Sequence, residues 1–325
     1  MVTTNQNFMN IVILDGYTLN PGDLDWSSVN KLGKTSVYDR SGPDEVVDRA
    51  QDADAVLVNK VVLNEAILNQ LPRLKYIGVC ATGYNNIDLN AANKRGIIVT
   101  NVKAYGPASV AQHTFALLLA LVNHTELHSQ SVFKGDWAAS SDFCYWKTPL
   151  VELSGKTLGL IGLGDIGTHV AKIAVAFGMK VIAYRKNPGR TQQEEIKMVS
   201  LETVFKESDV ISLHCPLTDE TKNMVNADSL SRMKPTSYLV NTGRGPLINE
   251  TDLAEALKNK TIAGAALDVL SSEPPEKDNA LLSAPNCIIT PHIAWASFEA
   301  RERLLEMVAA NLKAYFDGKP TNVVQ

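Results

Sequence analysis

The chain has 325 residues, 45% of them hydrophobic and 20% charged, which suits a globular protein of two domains. Its formal net charge of −4 argues against a nucleic-acid-binding protein, because no excess of basic residues is available to neutralise phosphates. The four scattered cysteines form no Cys-x-x-Cys pair, which favours free thiols in a reducing compartment. The first ten residues lack the pattern of a secretory signal, and the longest apolar run, 115–122, is too short to span a membrane. We therefore expect a cytoplasmic protein.

The first part of the chain alternates short apolar strands with helical patterns, which predicts a parallel sheet covered on both faces. The predicted strands are 11–14, 55–58, 76–79 and 97–99. The predicted helices are 43–50, 64–71 and 88–95, the last of which ends at Gly96.

A long apolar helix is predicted next, from about residue 107 to 127, followed by a polar and aromatic loop over 135–149. A second series of strands then covers 157–161, 180–184, 210–213, 238–240, 263–267 and 287–290. Helices follow its first two strands, and further helices lie near 226–232 and 250–258. This alternation predicts a doubly wound unit of six strands.

An amphipathic helix over 298–316 ends the chain, and no strand of the second series is left to pair with it, so we expect it to pack on the first domain. The predicted fold class is α/β with two doubly wound parallel-sheet domains. Residues 1–103 and 293–325 would form a smaller, discontinuous, flavodoxin-like substrate domain, and residues 104–292 a Rossmann cofactor domain. Crossovers near 101–106 and 291–297 would form a hinge above a cleft, the expected ligand site.

The most informative motif is a Gly-x-Gly-x-x-Gly turn made by Gly162, Gly164 and Gly167, between the strand 157–161 and an alanine-rich helix. The first glycine permits the tight turn, the second lets the backbone approach a pyrophosphate, and the third lets helix and strand pack closely. The N-terminus of the helix offers unpaired N–H groups to the anion. The motif therefore predicts a dinucleotide site and redox chemistry with a nicotinamide cofactor.

Arg185 ends the next strand, 18 positions beyond Gly167 (185 − 167), where an Asp or Glu usually accepts hydrogen bonds from the adenosine ribose of NAD. An arginine there suits a ribose 2′-phosphate, and Lys186 and Arg190 add positive charge nearby. We therefore predict NADP(H) as the favoured cofactor and NAD(H) as possible. The alternative is a solvated basic turn that has no part in cofactor choice.

Three residues that suit carbonyl reduction stand just beyond strands of the second series: Arg244, Glu273 and His292. Such a reaction needs a hydride donor, a cation that orients the substrate and an acid that protonates its oxygen. The carboxyl ends of parallel strands share one edge of the sheet, so the three side chains could converge beside a nicotinamide.

Over nearly its whole length the chain resembles the D-isomer-specific 2-hydroxyacid dehydrogenases. The matching stretches are 157–167, 214–218, 233–245, 264–274 and 291–297. Residues 14–23 and 292–296 are most similar to the branch of glycerate dehydrogenases and hydroxypyruvate reductases. The resemblance implies a homodimeric NAD(P)H-dependent oxidoreductase that converts hydroxypyruvate to D-glycerate, with glyoxylate to glycolate as a side activity.

The resemblance also implies the roles of the three strand-end residues. His292 would be the general acid with Glu273 as its partner, because a carboxylate beside an imidazole favours the protonated form. The planar fork of Arg244 would hold the ketone oxygen and the substrate carboxylate. Each residue also has a purely structural alternative. His292 could be a hydrogen-bonded turn residue, Arg244 could cap a backbone carbonyl, and Glu273 could lie in a solvated turn.

Further positions are assigned by the same resemblance. Asp268 would contact the nicotinamide carboxamide. The other cofactor-lining positions are Val110, Asp165, Ile166, Cys215, Pro216 and Thr242, although Val110 could equally be helix core. The substrate carboxylate would meet backbone N–H groups at Thr82 and Gly83, with Lys60 as added positive charge and Trp295 shaping the pocket. Lys60 could equally be a solvated side chain, and Trp295 a packing residue.

Three other functions are compatible with parts of the sequence. His124 and His128 stand four apart like zinc ligands on a helix, but Glu126 is misplaced and no third ligand is evident, so no metal site is predicted. The main alternative to an enzyme is a non-catalytic NAD(H)-sensing binding protein, like the corepressors that resemble this family. A methyltransferase that uses the glycine turn for an adenosyl cofactor is more remote, because the arginine, glutamate and histidine would then be unexplained.

Overall fold

The structure is a computed structural model that describes residues 9–187 and 195–324. Arg190, predicted to add positive charge near the cofactor, lies outside the described residues, as do eight of the ten residues considered for a secretory signal. The chain divides into two compact units, Met1–Gly106 with Ala296–Gln325, and Pro107–Trp295. Of the helices that the structure describes, none is long and apolar enough to cross a membrane.

The first unit contains a parallel sheet whose strands, within its described residues, follow the order β2-β1-β3-β4-β5. These strands are β1 (Asn10–Ile13), β2 (Lys34–Val37), β3 (Ala55–Val58), β4 (Tyr76–Val79) and β5 (Ile98–Thr100). The order is that of flavodoxin-like folds, as predicted. Every residue of β3 and β4 is buried, as expected for central strands with helices on both faces.

The first unit's helices are α1 (Ser27–Asn30), α2 (Val46–Ala50), α3 (Glu65–Leu68), α4 (Leu89–Lys94) and α11 (Phe298–Phe316). The Asp88 side chain accepts a hydrogen bond from the N–H of Ala91 and so caps α4. The last helix packs against the sheet, where the rings of Tyr315 and Tyr76 have centroids 4.8 Å apart.

The second unit contains a parallel sheet whose described strands follow the order β12-β11-β10-β9-β6-β7-β8. These strands are β6 (Thr157–Ile161), β7 (Lys180–Tyr184), β8 (Ile196–Met198), β9 (Val210–Leu213), β10 (Tyr238–Asn241), β11 (Gly264–Leu267) and β12 (Cys287–Ile289). Counted from β6, the order is the Rossmann order 3-2-1-4-5-6 with one more strand beyond the sixth. The prediction of six strands was wrong, because β8 adds a short edge strand beside β7.

The helices of the second unit are α5 (Pro107–Asn123), α6 (Thr125–Phe133), α7 (Asp165–Ala176), α8 (Leu201–Glu207), α9 (Ala227–Ser231) and α10 (Glu250–Lys258). The single helix predicted from 107 to 127 is in fact two helices. His124 has a φ of 46°, in the left-handed region that ends an α-helix. The apolar residues of α5, among them Leu117, Leu118 and Leu121, are buried in the core of this unit.

Candidate active site

The glycine turn lies between β6 and α7, and its three glycines face different surroundings. Gly162 has a φ of +101°, and a Cβ there would lie 2.5 Å from the backbone of His214 and Cys215. A Cβ at Gly167 would lie 2.4 Å from the carbonyl oxygen of Gly162. By contrast, apart from Gly164 itself and the residues next to it in the chain, no described residue has an atom within 4 Å of a Cβ added at Gly164. The first and third glycines therefore permit close packing, and the second leaves open space for a ligand beside the first turn of α7.

The segment after β9 packs beneath this turn. His214 Nε2 lies 2.8 Å from Ser212 Oγ, and burial lowers the pKa of His214 to about 4, so its ring is neutral at physiological pH. The half-buried Cys215 has a pKa raised to about 11, chiefly by burial, which keeps its thiol protonated. Pro216 follows and is exposed. At the start of α7, Asp165 is exposed, while Ile166 packs against the core.

Arg185 directly follows β7 and is half-buried. Its Nη1 donates a hydrogen bond of 3.4 Å to the carbonyl oxygen of Leu163, inside the glycine turn. Lys186 is exposed and forms an ion pair with the exposed Glu220. Arg185 therefore contacts the turn, while Lys186 has a separate partner.

Arg244 lies in a tight turn after β10. The buried Asn241 holds this turn, since its Nδ2 donates to the carbonyl oxygen of Arg244 over 2.9 Å and its Oδ1 accepts from the N–H of Gly243 over 3.0 Å. A Cβ at Gly245 would lie 2.0 Å from the carbonyl carbon of Leu270, so only glycine permits this packing. The Arg244 side chain itself is exposed, and it is therefore accessible to a small anion.

Glu273 and His292 form a hydrogen-bonded pair at the ends of β11 and β12. Glu273 Oε2 lies 2.6 Å from His292 Nδ1, and Glu273 Oε1 accepts from the N–H of Leu270 over 3.1 Å. An ionised carboxylate only accepts hydrogen bonds, so Nδ1 of His292 carries the hydrogen. The side chains of His292 and Glu273 are 30% and 37% exposed, which leaves the pair accessible from solvent.

Asp268 is 1% exposed and binds the chain on both sides of His292. Its carboxylate accepts from the N–H groups of Ile293 (2.9 Å) and Ala294 (2.8 Å) and from Thr290 Oγ1 (2.6 Å). Burial opposes ionisation, but these hydrogen bonds and one from His113 outweigh it, and the pKa of Asp268 is lowered. An ionised Asp268 therefore fixes the course of 290–294.

Helix α5 contacts these strand ends with polar side chains that the sequence analysis did not single out. Ser109 Oγ donates to the carbonyl oxygen of Ala294 over 2.7 Å, and Thr114 Oγ1 lies 3.0 Å from Oγ1 of the buried Thr242. Val110, predicted beside the nicotinamide, is also buried on this helix. Ser109 and His113 lie four apart, on one face of a mostly apolar helix, and that spacing was the signal available in the sequence.

In the first unit, the predicted substrate residues follow two neighbouring strands. Lys60 lies just after β3, where the Asp15 carboxylate accepts from the N–H groups of Lys60 (2.5 Å) and Val61 (2.9 Å). Thr82 and Gly83 follow β4, and Thr82 Oγ1 donates to the carbonyl oxygen at 102 over 2.9 Å. Both segments are held at the same edge of the sheet, because β3 and β4 pair in parallel. Asp15 was not predicted, although an acidic residue at a strand end is a recognisable signal.

Trp295 is half-buried and ends the second unit. The zinc-like histidine pair has other partners: His128 Nδ1 lies 2.8 Å from the carbonyl oxygen of His124, and Nε2 accepts from the N–H of Lys147 over 3.1 Å. Across residues 9–187 and 195–324, no group of three or more His, Cys, Asp or Glu residues could hold a metal ion. All four cysteines are free.

Comparison with known proteins agrees with this architecture. Residues 115–294 match the family model described as "D-isomer specific 2-hydroxyacid dehydrogenase, NAD binding domain". A hydroxypyruvate reductase of Blautia hydrogenotrophica is 47% identical over 97% of this chain and 99% of its own. A glycerate dehydrogenase of Methylorubrum extorquens is 44% identical over 87% of this chain and 89% of its own.

Among solved structures, an acyclic imino acid reductase (Bsp5) in complex with NADPH and D-Arg is 34% identical, with a TM-score of 0.85 over 98% of this chain and 100% of its own. The chain belongs to the D-isomer-specific 2-hydroxyacid dehydrogenases. It is therefore an oxidoreductase with an NAD-binding Rossmann domain, as the glycine motif predicted.

Proposed function

We propose that this enzyme reduces hydroxypyruvate to D-glycerate with NAD(P)H, and glyoxylate to glycolate as a side activity. The observation that carries the proposal is the Glu273–His292 pair, which lies at the ends of β11 and β12 next to the turn of Arg244. The names of the two relatives, a hydroxypyruvate reductase and a glycerate dehydrogenase, support the choice of substrate.

The proposed chemistry assigns one task to each residue of the pair. When bound, the reduced nicotinamide supplies a hydride to the carbonyl carbon. His292 donates the proton to the developing alkoxide from Nε2, because Nδ1 is engaged by Glu273 at 2.6 Å. Glu273 stabilises the protonated ring and fixes its orientation, as a carboxylate partner does for other catalytic histidines.

Arg244 is proposed to bind the ketone oxygen and the substrate carboxylate, because its exposed guanidinium can make two parallel hydrogen bonds. Backbone N–H groups at Thr82 and Gly83 and the Lys60 side chain are proposed to bind the carboxylate, and Trp295 to contact the substrate. The cofactor-binding residues are proposed to be those of the sequence analysis, with the pyrophosphate beside Gly164, where the structure leaves open space.

NADP(H) is proposed as the preferred cofactor. Arg185 lies against the glycine turn through its hydrogen bond to Leu163, where a ribose 2′-phosphate would gain from its charge. The NADPH complex of the imino acid reductase with the same fold also supports this choice.

We also propose that the enzyme is a homodimer. Large apolar side chains are exposed at the end of α6 and in the loop that follows it, including Phe133 (89%), Phe143 (90%) and Trp146 (68%). A patch of this kind is typical of a protein interface, and a second copy of the chain would cover it. Light scattering should give twice the monomer mass, and Phe143→Ser with Trp146→Ser should shift it toward the monomer.

The function is tested by the oxidation of NADPH and NADH, measured in parallel with hydroxypyruvate, glyoxylate and pyruvate. We expect turnover with hydroxypyruvate to be fastest, turnover with glyoxylate slower, and NADPH preferred. Turnover with NADH alone would still support the proposed reaction but would contradict the proposed role of Arg185 in cofactor choice. The absence of turnover with every pair would contradict the proposal and favour a binding protein of the same fold.

A further inference from the structure

His113 lies on the face of α5 that packs against the ends of β11 and β12. Its Nε2 is 3.0 Å from Thr290 Oγ1 and 3.4 Å from Asp268 Oδ1. The Thr290 hydroxyl donates its one hydrogen to Asp268 Oδ1 over 2.6 Å, so its oxygen can only accept from His113. His113 therefore carries a hydrogen on Nε2 and directs it at the Thr290–Asp268 pair.

The Thr290–Asp268 pair in turn holds the backbone of His292. The N–H of His292 donates to the main-chain oxygens of Asp268 (2.8 Å) and Thr290 (3.0 Å), and the Asp268 carboxylate accepts from the next two N–H groups. His292 has a φ of +55°, in the left-handed region that residues other than glycine rarely adopt. Such a conformation persists where surrounding contacts over-determine it, and here the hydrogen bonds of Asp268 and Thr290 do so.

We propose that His113 is a positioning residue for the reduction, which acts through Thr290 and Asp268 to hold the His292 ring in place. The inference rests on the proposed function. Ser109, one turn earlier on the same face of α5, donates to the carbonyl oxygen of Ala294, so the helix secures the His292 segment on both sides. Holding His292 in position matters for proton transfer, because an error of about 1 Å in the position of a catalytic group can lower the reaction rate about 100-fold.

Two variants of His113 separate this role from simple packing. His113→Leu keeps comparable bulk but removes the donor, whereas His113→Gln retains an N–H donor near the position of Nε2. We expect His113→Leu to lower kcat for hydroxypyruvate about 10- to 100-fold, with little change in KM or in NADPH affinity. His113→Gln should recover most of that loss.

Thr290 supplies a second pair of variants. Thr290→Val removes the hydroxyl that joins His113 to Asp268 and should lower kcat as His113→Leu does, while Thr290→Ser should remain close to the wild type. Thermal midpoints and NADPH binding, followed by nicotinamide fluorescence, establish that each variant is folded. If His113→Leu does not fold, the Thr290 pair decides.

A wild-type kcat in the folded His113→Leu variant would overturn the inference. So would a loss confined to KM, or a His113→Gln variant no better than His113→Leu. The wild-type enzyme is assayed in the same series. If it does not reduce hydroxypyruvate, the proposed function has failed rather than the role of His113.

Discussion

The strands of the seven-stranded sheet begin at one side of it, here called the amino edge, and end at the opposite side, the carboxyl edge. An aspartate at each of these edges accepts backbone hydrogen bonds, and the two aspartates have different roles. Asp209 precedes β9 at the amino edge, where its carboxylate accepts from the N–H of Thr157 and from Lys234 Nζ, both at 2.8 Å. Asp268 follows β11 at the carboxyl edge and binds the segment that carries His292. Burial opposes ionisation at both, but the hydrogen bonds outweigh it and lower the pKa of each carboxyl.

The difference lies in what each carboxylate holds. Asp209 joins the beginnings of neighbouring strands, so its hydrogen bonds stabilise the sheet itself. Asp268 holds a loop whose residue His292 has a left-handed backbone conformation and an accessible ring. The same chemistry therefore contributes to stability at one edge and, in our account, to catalytic geometry at the other.

Within this comparison, the largest expected effect comes from removing the negative charge of each aspartate. Asp268→Asn replaces one carboxylate oxygen with an amide NH2 group, which cannot accept the hydrogen bonds that Ile293 and Ala294 donate. The segment that carries His292 should then shift, and kcat should fall about 100-fold. Asp209→Asn should leave kcat unchanged and lower the thermal midpoint by a few degrees, because Lys234 loses its partner. Steady-state assays and calorimetry on both variants check this. A loss of kcat in Asp209→Asn as large as in Asp268→Asn would contradict the separate roles of the two aspartates.

The glycine turn offers a second contrast within the carboxyl edge. Among described residues other than its chain neighbours, a Cβ at Gly164 meets no atom within 4 Å, whereas one at Gly162 meets the backbone of His214 and Cys215 at 2.5 Å. Gly164→Ala should therefore keep the thermal midpoint and weaken NADPH binding about 10-fold or more, because the methyl group occupies the pyrophosphate's approach. Gly162→Ala should lower the thermal midpoint. Fluorescence titration with NADPH tests the pair, and unchanged affinity in Gly164→Ala would contradict the site.

Arg185 provides a smaller effect at the same edge. Arg185→Ala should lower kcat/KM for NADPH about 10-fold, the cost of one charge-assisted hydrogen bond, with little effect for NADH. Lys186→Ala is the matched control, since Lys186 pairs with Glu220. The ratio of the two cofactors' kcat/KM values is the readout. An equal loss with both cofactors would assign Arg185 to the support of the turn.

The smallest effect concerns acid stability. Because the pKa of Asp209 is lowered in the folded state, its contribution is present above the unfolded value of about 3.9 and is lost as the pH falls through the folded pKa. The gap in thermal midpoint between wild type and Asp209→Asn should thus be widest near pH 7 and shrink below about pH 4. Asp219→Asn, which removes a carboxylate from an exposed position, is the control. If the difference in thermal midpoint between wild type and Asp209→Asn does not narrow at low pH, the ion pair of Asp209 with Lys234 does not contribute to stability as proposed.

Much of this fold was predictable because the central parallel strands are short, mostly apolar runs, as in β3, β6 and β9. The edge strands were harder. β2 is largely exposed and reads Lys-Thr-Ser-Val, and β8 has three residues, so neither has the pattern of a buried strand. The break after α5 also had no signal, since it falls at His124 without a glycine or proline.

The site was predictable to the level of which residues stand at strand ends. A parallel sheet places the residues after β10, β11 and β12 on one edge, and the family resemblance named Arg244, Glu273 and His292 among them. The supporting residues could not be found in this way. His113 meets Thr290 across a separation of 177 positions, and only the packing of α5 on the sheet brings the two together.

The most direct test of the account is a single turnover of the enzyme–NADPH complex mixed with hydroxypyruvate, for the wild type and for His292→Gln. We predict that His292→Gln binds NADPH with nearly wild-type affinity and oxidises it about 100- to 10,000-fold more slowly, because the proton donor is gone. Oxidation at the wild-type rate would contradict the role of His292. If a folded His292→Gln variant lost both NADPH binding and turnover, that result would contradict the role of His292 as well.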